Sequence, residues 1–147
     1  MMAEVIDAPD GLAQVRDLIA RDAQPSIGRT MDFSLVEAER GRALFIGTPG
    51  EMHYNPMGGV HGGYAATLLD SACGIAVHTM LEPGQGFTTL ELKVSYLRGM
   101  SAQTGPVRAE GRVVNIGRRV AFAEADIRDA DGRLMATATS TLLVLSR

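Results

Sequence analysis

Apolar residues recur at helical spacing in two stretches of the chain and at strand spacing in six others, and that division predicts the architecture. In residues 10–23, DGLAQVRDLIARDA, Leu12, Val15, Leu18 and Ile19 fall on one helical face, with Asp10 placed to cap it. QPSIGR ends that helix. MDFSLVEAER and RALFIGTP have roughly strand-like spacing and meet at a Gly41 turn. A longer helical pattern follows the glycine-rich stretch at 55–63 and runs to about Leu81, where EPGQG supplies a stop. After residue 86 the period becomes two: in FTTLELKVSYLR, Leu90, Leu92, Val94 and Tyr96 alternate with Thr89, Glu91, Lys93 and Ser95. GPVRAEGRVVNIG, RRVAFAEADIRDADG and RLMATATSTLLVLS read as three more strands, with turns at Gly117 and at DADG, residues 129–132. Consecutive strands with short turns form an antiparallel sheet, and the one long helix has to cover it. The expected class is α+β.

The long helix has two unlike sides. Ala65, Leu68, Leu69, Ala72, Ala76 and Thr79 share the side expected to lie on the sheet. Gly63, Thr67, Asp70, Ser71, Gly74 and His78 share the other. A solvated face ordinarily carries Lys, Glu and Arg, which favour helices, so these small residues point to contact rather than to water. The preceding NPMGGVHGG does not fit a phosphate loop, because Gly63 is followed by Tyr64 and Ala65 rather than by Lys and Ser or Thr. A dinucleotide fingerprint would need a parallel strand–turn–helix unit, which the antiparallel pattern does not offer. Two readings stay open: a plain turning loop, or free amides at a helix start that polarise a carbonyl oxygen. Eight residues separate Gly62 from Asp70, about 12 Å of helical rise. A carboxylate acts only on atoms about 3 Å away. If both ends are catalytic they serve different sites, or sites shared between two antiparallel subunits.

Composition narrows the function classes. The chain has 147 residues, 46% of them hydrophobic, enough for one domain with a real core. A net charge of −3 argues against a general nucleic-acid binder. The lone cysteine, Cys73, cannot pair within the chain and reads as a small buried hydrophobe in a reducing compartment. No apolar run is long enough to span a bilayer, and MMAEVIDAPDG lacks the form of a secretory signal, so the expectation is a cytoplasmic protein with no membrane partner. His53, His61, His78 and Cys73 do not make a zinc pattern, and no metal is expected. His78, on the Asp70 side of the helix, is a candidate interface residue.

NPxGxVHGG followed by LLDSACG, then TTLELKVSYLR and the paired strands to the C-terminus, resembles the hotdog-fold acyl-CoA thioesterases, most nearly their phenylacetate-degradation (PaaI-like) branch. The resemblance covers residues 30–147, leaving 1–29 as an N-terminal helical segment of a single-domain protein. It implies a long central helix wrapped by a curved antiparallel sheet, with active sites at a dimer interface and pairing of dimers into a homotetramer. Asp70 would be the general base or the nucleophile. Asn55 and the Gly62 amide of the partner subunit would hold the carbonyl or the attacking water, and His61 would order the helix start. Thr89, rather than Thr88, would assist. Coenzyme A would be part of the substrate, with no separate cofactor. Its phosphates make Arg98, Arg118 and Arg119 candidates, each equally readable as an ordinary solvated arginine. Gly63 and Met57 within the motif, and Tyr64 next to it, would be substrate-binding candidates, and Tyr64 and Met57 either line an acyl pocket or simply pack. A non-catalytic acyl-CoA-binding protein on the same fold is the alternative. A dehydratase would need a catalytic His–Asp arrangement that the chain does not present.

Overall fold

A computed structural model describes residues 7–146 of the chain. The first six residues of MMAEVIDAPDG, and with them the beginning of the 1–29 segment, lie outside the described residues. Two helices, α1 (Gly11–Ala20) and α2 (Ser26–Met31), precede strands β1 (Phe33–Glu39) and β2 (Arg42–Gly47). A 3-10 turn at Glu51–His53 leads to α3 (Gly62–His78), followed by β3 (Gly86–Tyr96), β4 (Val107–Ile116), β5 (Val120–Arg128) and β6 (Leu134–Leu145). The strands form one antiparallel sheet in the order β1-β2-β4-β5-β6-β3. None of the described helices is long and apolar enough to cross a membrane.

Most boundaries follow local chemistry. The Asp10 carboxylate accepts from the Ala13 amide and starts α1, as its position suggested. Gly41, with φ +81°, makes the β1–β2 turn. The long helix stops at His78, short of Leu81, because Thr79 turns its hydroxyl back onto the Ala76 carbonyl while accepting from the Gly41 amide. One element was not expected. QPSIGR does not only end α1; its last residues begin α2, which takes in Met31 and delays the first strand to Phe33. At six residues α2 is too short for an apolar period to show. Asp32 closes it in the left-handed conformation, with φ 53°.

The sheet presents small side chains to α3. Ala43, Ala109, Ala123, Ala125, Ala136 and Ala138 are buried on its inner face, opposite Ala65, Ala72 and Ala76 of the helix. In the middle of β4, Gly111 lies directly under the Ala72 carbonyl and the Cys73 amide nitrogen, where a Cβ would overlap the helix backbone. Leu68 and Leu69 are fully buried alongside, each contributing about 1.5–3 kcal/mol by its removal from water. Cys73 is buried as expected, and burial, followed by the Asp70 charge, pushes its thiol pKa up to about 12.

Strict alternation along β3 fails at one residue. Thr89 pairs with Leu142 and Glu91 with Thr141, so Leu90 is an extra residue in a β-bulge and is 58% exposed. The bulge shifts the phase of the strand. Phe87 and Thr89 before it face the helix together with Leu92 and Val94 after it, whereas period two alone sets Thr89 with the outward Glu91 and Lys93.

The N-terminal segment joins the same core. Val15 is completely buried, the Gly11 amide donates to the Leu81 carbonyl (2.9 Å), and Gly11 has no room for a side chain beneath the His78 carbonyl. His78 is held within the chain: its Nε2 lies 2.9 Å from Gln14 Oε1, and its ring meets Phe87 edge-on.

Two predictions follow from this packing. Gly111→Ala should lower unfolding free energy by about 3 kcal/mol or more in chemical denaturation, since backbone rather than a flexible side chain must yield. Burial lowers the His78 pKa below its usual value. The folded state therefore resists protonation that the unfolded chain accepts near pH 6.5. That stability is fully present above about pH 6.5 and is lost as pH falls through the lower folded value. Melting temperature should fall more steeply from pH 7 to pH 5 in the native chain than in His78→Gln; identical slopes would refute the assignment.

Candidate functional site

Asp70 sits half-buried in the middle of α3, and Thr89 Oγ1 donates to its Oδ1 at 2.8 Å. The bulge at Leu90 makes this contact possible by aiming Thr89 inward. Thr88 is exposed and pairs with Leu143 on the outer face, so it does not reach the helix. The hydrogen bond occupies one oxygen of the carboxylate and fixes its orientation, while Oδ2 has no protein partner among the described residues. Asp70 and Thr89 border a cavity of about 200 Å³ that runs between α3 and the N-terminal helices.

The small residues of the outer helix face serve several neighbours. Gly74 lies under the Phe87 ring, where a Cβ would stand 2.9 Å from the ring edge. His78 meets Gln14 and Phe87 within the chain. Only the Asp70–Ser71 stretch and Gly74 with Ile75 open onto the cavity.

The start of α3 is held by its own loop. His61 caps the helix, its Nδ1 accepting from the Gly63 amide at 2.7 Å. A side chain at Gly63 would stand 2.8 Å from that nitrogen, so glycine is required for the cap. With Gly63 engaged, the Gly62 N–H has no hydrogen-bond acceptor among the described residues. Asn55 Oδ1 accepts from the Met57 amide (2.9 Å) and the Gly59 amide (3.2 Å), which folds the loop into a closed turn. Two backbone donors facing Oδ1 orient the side-chain amide, and its NH2 group remains as a donor. Tyr96, placed by the alternation among the apolar positions of β3, donates its hydroxyl to the Gly62 carbonyl at 2.6 Å, and its ring fills the space a Gly62 side chain would need. Nothing local in the sequence marks that contact; it depends on where the end of β3 meets the start of α3.

Other candidate residues lie apart. Tyr64 is 1% exposed in the core, its ring 4.6 Å from that of His53, so within the chain it packs and does not line a substrate pocket. Burial, then the charge of Asp32, raises its pKa. Met57 is 93% exposed at the loop tip, away from the cavity beside Asp70. Arg98 borders a shallow depression with His61, Gly62 and Tyr96. Arg118 and Arg119 are exposed in the β4–β5 turn, at the opposite end of the sheet beside the first residues of β3. Ten residues of extended chain separate Thr88 from Arg98, roughly 30 Å, so the three arginines of one chain do not converge.

This arrangement has known counterparts. The thioesterase superfamily matches residues 57–136. A 1,4-dihydroxy-2-naphthoyl-CoA hydrolase of Listeria monocytogenes is 28% identical over 115 residues, covering 78% of this chain and 92% of that one. Among solved structures, a thioesterase family protein of Silicibacter pomeroyi superposes with a TM-score of 0.79 at 30% identity, over 91% of this chain and 97% of the other. A hypothetical thioesterase of Streptococcus pneumoniae, solved with coenzyme A, gives a TM-score of 0.71 at 25% identity, over 79% of this chain and 90% of the other. With a long helix wrapped by a curved six-stranded antiparallel sheet, the chain belongs to the thioesterase superfamily and is a hotdog-fold thioester hydrolase.

Proposed function

We propose that the protein hydrolyses acyl-CoA thioesters to a free acid and coenzyme A, in sites that two antiparallel subunits share. The observation that carries this reading is the Thr89–Asp70 hydrogen bond at the margin of an apolar cavity, far along α3 from the donors at the helix start. Those donors lie about 12 Å up the helix from Asp70, too far to meet it on one carbonyl. In the shared site, Asp70 of one subunit faces the partner subunit's Asn55 and Gly62. A water molecule, deprotonated by Asp70, or the carboxylate itself, attacks the thioester carbonyl carbon. The oxygen gains negative charge and receives hydrogen bonds from the Gly62 N–H and the Asn55 NH2, each such donor being worth about 3 kcal/mol in other enzymes. Collapse breaks the C–S bond, and coenzyme A leaves as the thiolate and takes up the proton. In the covalent route the resulting anhydride is then opened by water.

No cofactor enters this scheme, because the coenzyme A is part of the substrate. Arg98 and the partner subunit's Arg118 and Arg119 are the candidates for its phosphates, a division that their separation within one chain supports. The resemblance of NPxGxVHGG and LLDSACG to the phenylacetate-degradation branch implies that branch here and, with it, pairing of dimers into a homotetramer. A binding module on the same fold would have no use for a carboxylate oriented by Thr89, which favours hydrolysis over sensing.

Thr89→Ser keeps the hydroxyl and should retain most of kcat, whereas Thr89→Ala should lose about tenfold or more, with a smaller change in KM. Asp70→Asn should abolish thiol release from acyl-CoA while leaving the melting temperature near that of the native chain. Asn55→Asp keeps the acceptor that folds the loop but replaces the donor with a charge, and it should also be inactive. Mixing these two inactive chains makes half the dimers heterodimers with one intact site each, so about a quarter of native activity should return. No recovery after demonstrated subunit exchange would overturn the shared site.

A further inference from the structure

We propose that Tyr96 is a positioning residue for the oxyanion donor: its hydroxyl holds Gly62 from the carbonyl side and leaves the Gly62 N–H free for the substrate. The inference rests on the hydrolase reading for the use made of that N–H, whereas the hold on Gly62 is present in the chain itself.

A donor that must reach a substrate oxygen cannot be tied down at its nitrogen, because a protein acceptor there would compete with the substrate. It has to be fixed through the atoms around it. Two consecutive glycines open α3, and glycine loses more backbone freedom on ordering than any other residue. The surrounding contacts supply the hold. The His61 amide donates to the His53 carbonyl at 2.8 Å. The His61 carbonyl, part of the same peptide unit as the Gly62 N–H, accepts from the Tyr64 amide at 2.9 Å. On the far side of Gly62, its carbonyl accepts from the Tyr96 hydroxyl at 2.6 Å. Of these three contacts only the last depends on a particular side chain.

The same contact explains the glycine. Gly62 does not adopt a positive φ, so backbone conformation alone does not require glycine there. Tyr96 does: a Cβ at position 62 would stand 3.1 Å from its hydroxyl oxygen and 3.2 Å from its Cζ. Glycine at 62 and tyrosine at 96 act as one device.

That device has its counterpart on the same strand. Thr89 orients Asp70, and Tyr96, seven residues further along β3, holds Gly62. An odd separation in a regular strand puts two side chains on opposite faces. The extra residue Leu90 restores the phase, so Thr89 pairs with buried Leu142, Tyr96 pairs with buried Ala136, and both hydroxyls reach α3. The end of β3 is anchored in turn, because the Leu97 and Arg98 amides both donate to the Met135 carbonyl, at 2.9 and 3.0 Å. Just beyond, the Val60 amide donates to the Met100 carbonyl (3.0 Å) and the Ala102 amide to the Tyr54 hydroxyl (2.8 Å). The β3–β4 connection therefore braces the loop that precedes α3, and Tyr96 extends the brace to the helix start.

The test measures thiol release from acetyl-, hexanoyl- and phenylacetyl-CoA by the native chain, Tyr96→Phe, Gly62→Ala and the double variant, beside amide hydrogen exchange read by NMR. Tyr96→Phe keeps the ring and should lower kcat about tenfold, with KM and melting temperature near native, because a displaced donor weakens the transition state more than the bound substrate. Gly62→Ala pushes the hydroxyl off the carbonyl and should lower kcat at least as much. The double variant should then match Gly62→Ala alone rather than show the product of the two losses. Without substrate, the Gly63 and Tyr64 amides should exchange about tenfold faster in Tyr96→Phe than in the native chain, while amides in the middle of α3 keep their rates. A native kcat in Tyr96→Phe, losses that multiply in the double variant, or unaltered exchange would each overturn the proposal. If the native chain hydrolyses none of the three thioesters while exchange responds as expected, the hydrolase reading falls and the hold of Tyr96 on Gly62 stands.

Discussion

The backbone of α3 lies against β4 with no side chain between them, because Gly111 leaves room for the Ala72 carbonyl. A larger residue there would hold the helix away from the sheet, and the rest of the molecule would lose its register with it. Close contact at the centre obliges the sheet to curve if its outer strands are to touch the helix as well. Bulges at Val36, Leu90 and Val114 supply that curvature and local twist. On β3 the result is that Phe87 lies on Gly74 and Thr89 reaches Asp70 at 2.8 Å. A hydrogen bond of that length does not survive lifting the helix by the width of a methyl group. The geometry of the candidate acid–hydroxyl pair is therefore a consequence of core packing some distance away.

The helix start is organised by a different economy. Several polar groups of the 55–63 loop bond to one another or to β3, which orders the loop despite its glycines. Asn55 Oδ1 takes two amides, His61 Nδ1 takes a third, and the Tyr96 hydroxyl takes the Gly62 carbonyl. The Gly62 N–H and the Asn55 NH2 are left as donors with no acceptor among the described residues. Two free donors at a helix start present positive potential to an oxygen, with the helix dipole adding to it. Asp70 presents the opposite character from the middle of the same helix. The two ends match each other chemically and are too far apart to meet within one chain, which is the physical content of the dimer proposal.

The sequence displayed the parts of this design that are local. The helical period of α3, the six strands and the Asp70 spacing are readable from neighbouring residues, and the place of His61 at the helix start from the family resemblance. The features that escaped depend on contacts distant in the chain. Period two along β3 set Thr89 on the outer face, and only the pairing of β3 with β6 reveals that Leu90 is an extra residue. Tyr64, next to the glycine motif, had a pocket and a packing reading, and only its neighbours in space, His53 and the core, decide for packing within the chain. Gln24 looked like part of a helix-ending loop, because its partner is Leu35, eleven residues on. α2 was hidden by its length, and with it the second half of the cavity wall.

The Asp70–Thr89 pair and the N-terminal wall of its cavity are anchored differently. Asp70 and Thr89 are carried by the central helix and a strand that packs along its length, where most substitutions in their surroundings also disturb the core. The wall formed by α1 and α2 hangs on the edge strand β1 by the two Gln24 hydrogen bonds and on the end of α3 by the Gly11–Leu81 contact. Changes at Leu18 or Ile27 alter the shape of the cavity without passing through the helix–sheet contact. The superfamily match begins at residue 57 and so includes the loop tip, α3 and β3 but none of the wall. The match thus takes in Gly62, Asp70 and Thr89, whereas Asn55 and the N-terminal helices that border the Asp70 cavity lie outside it.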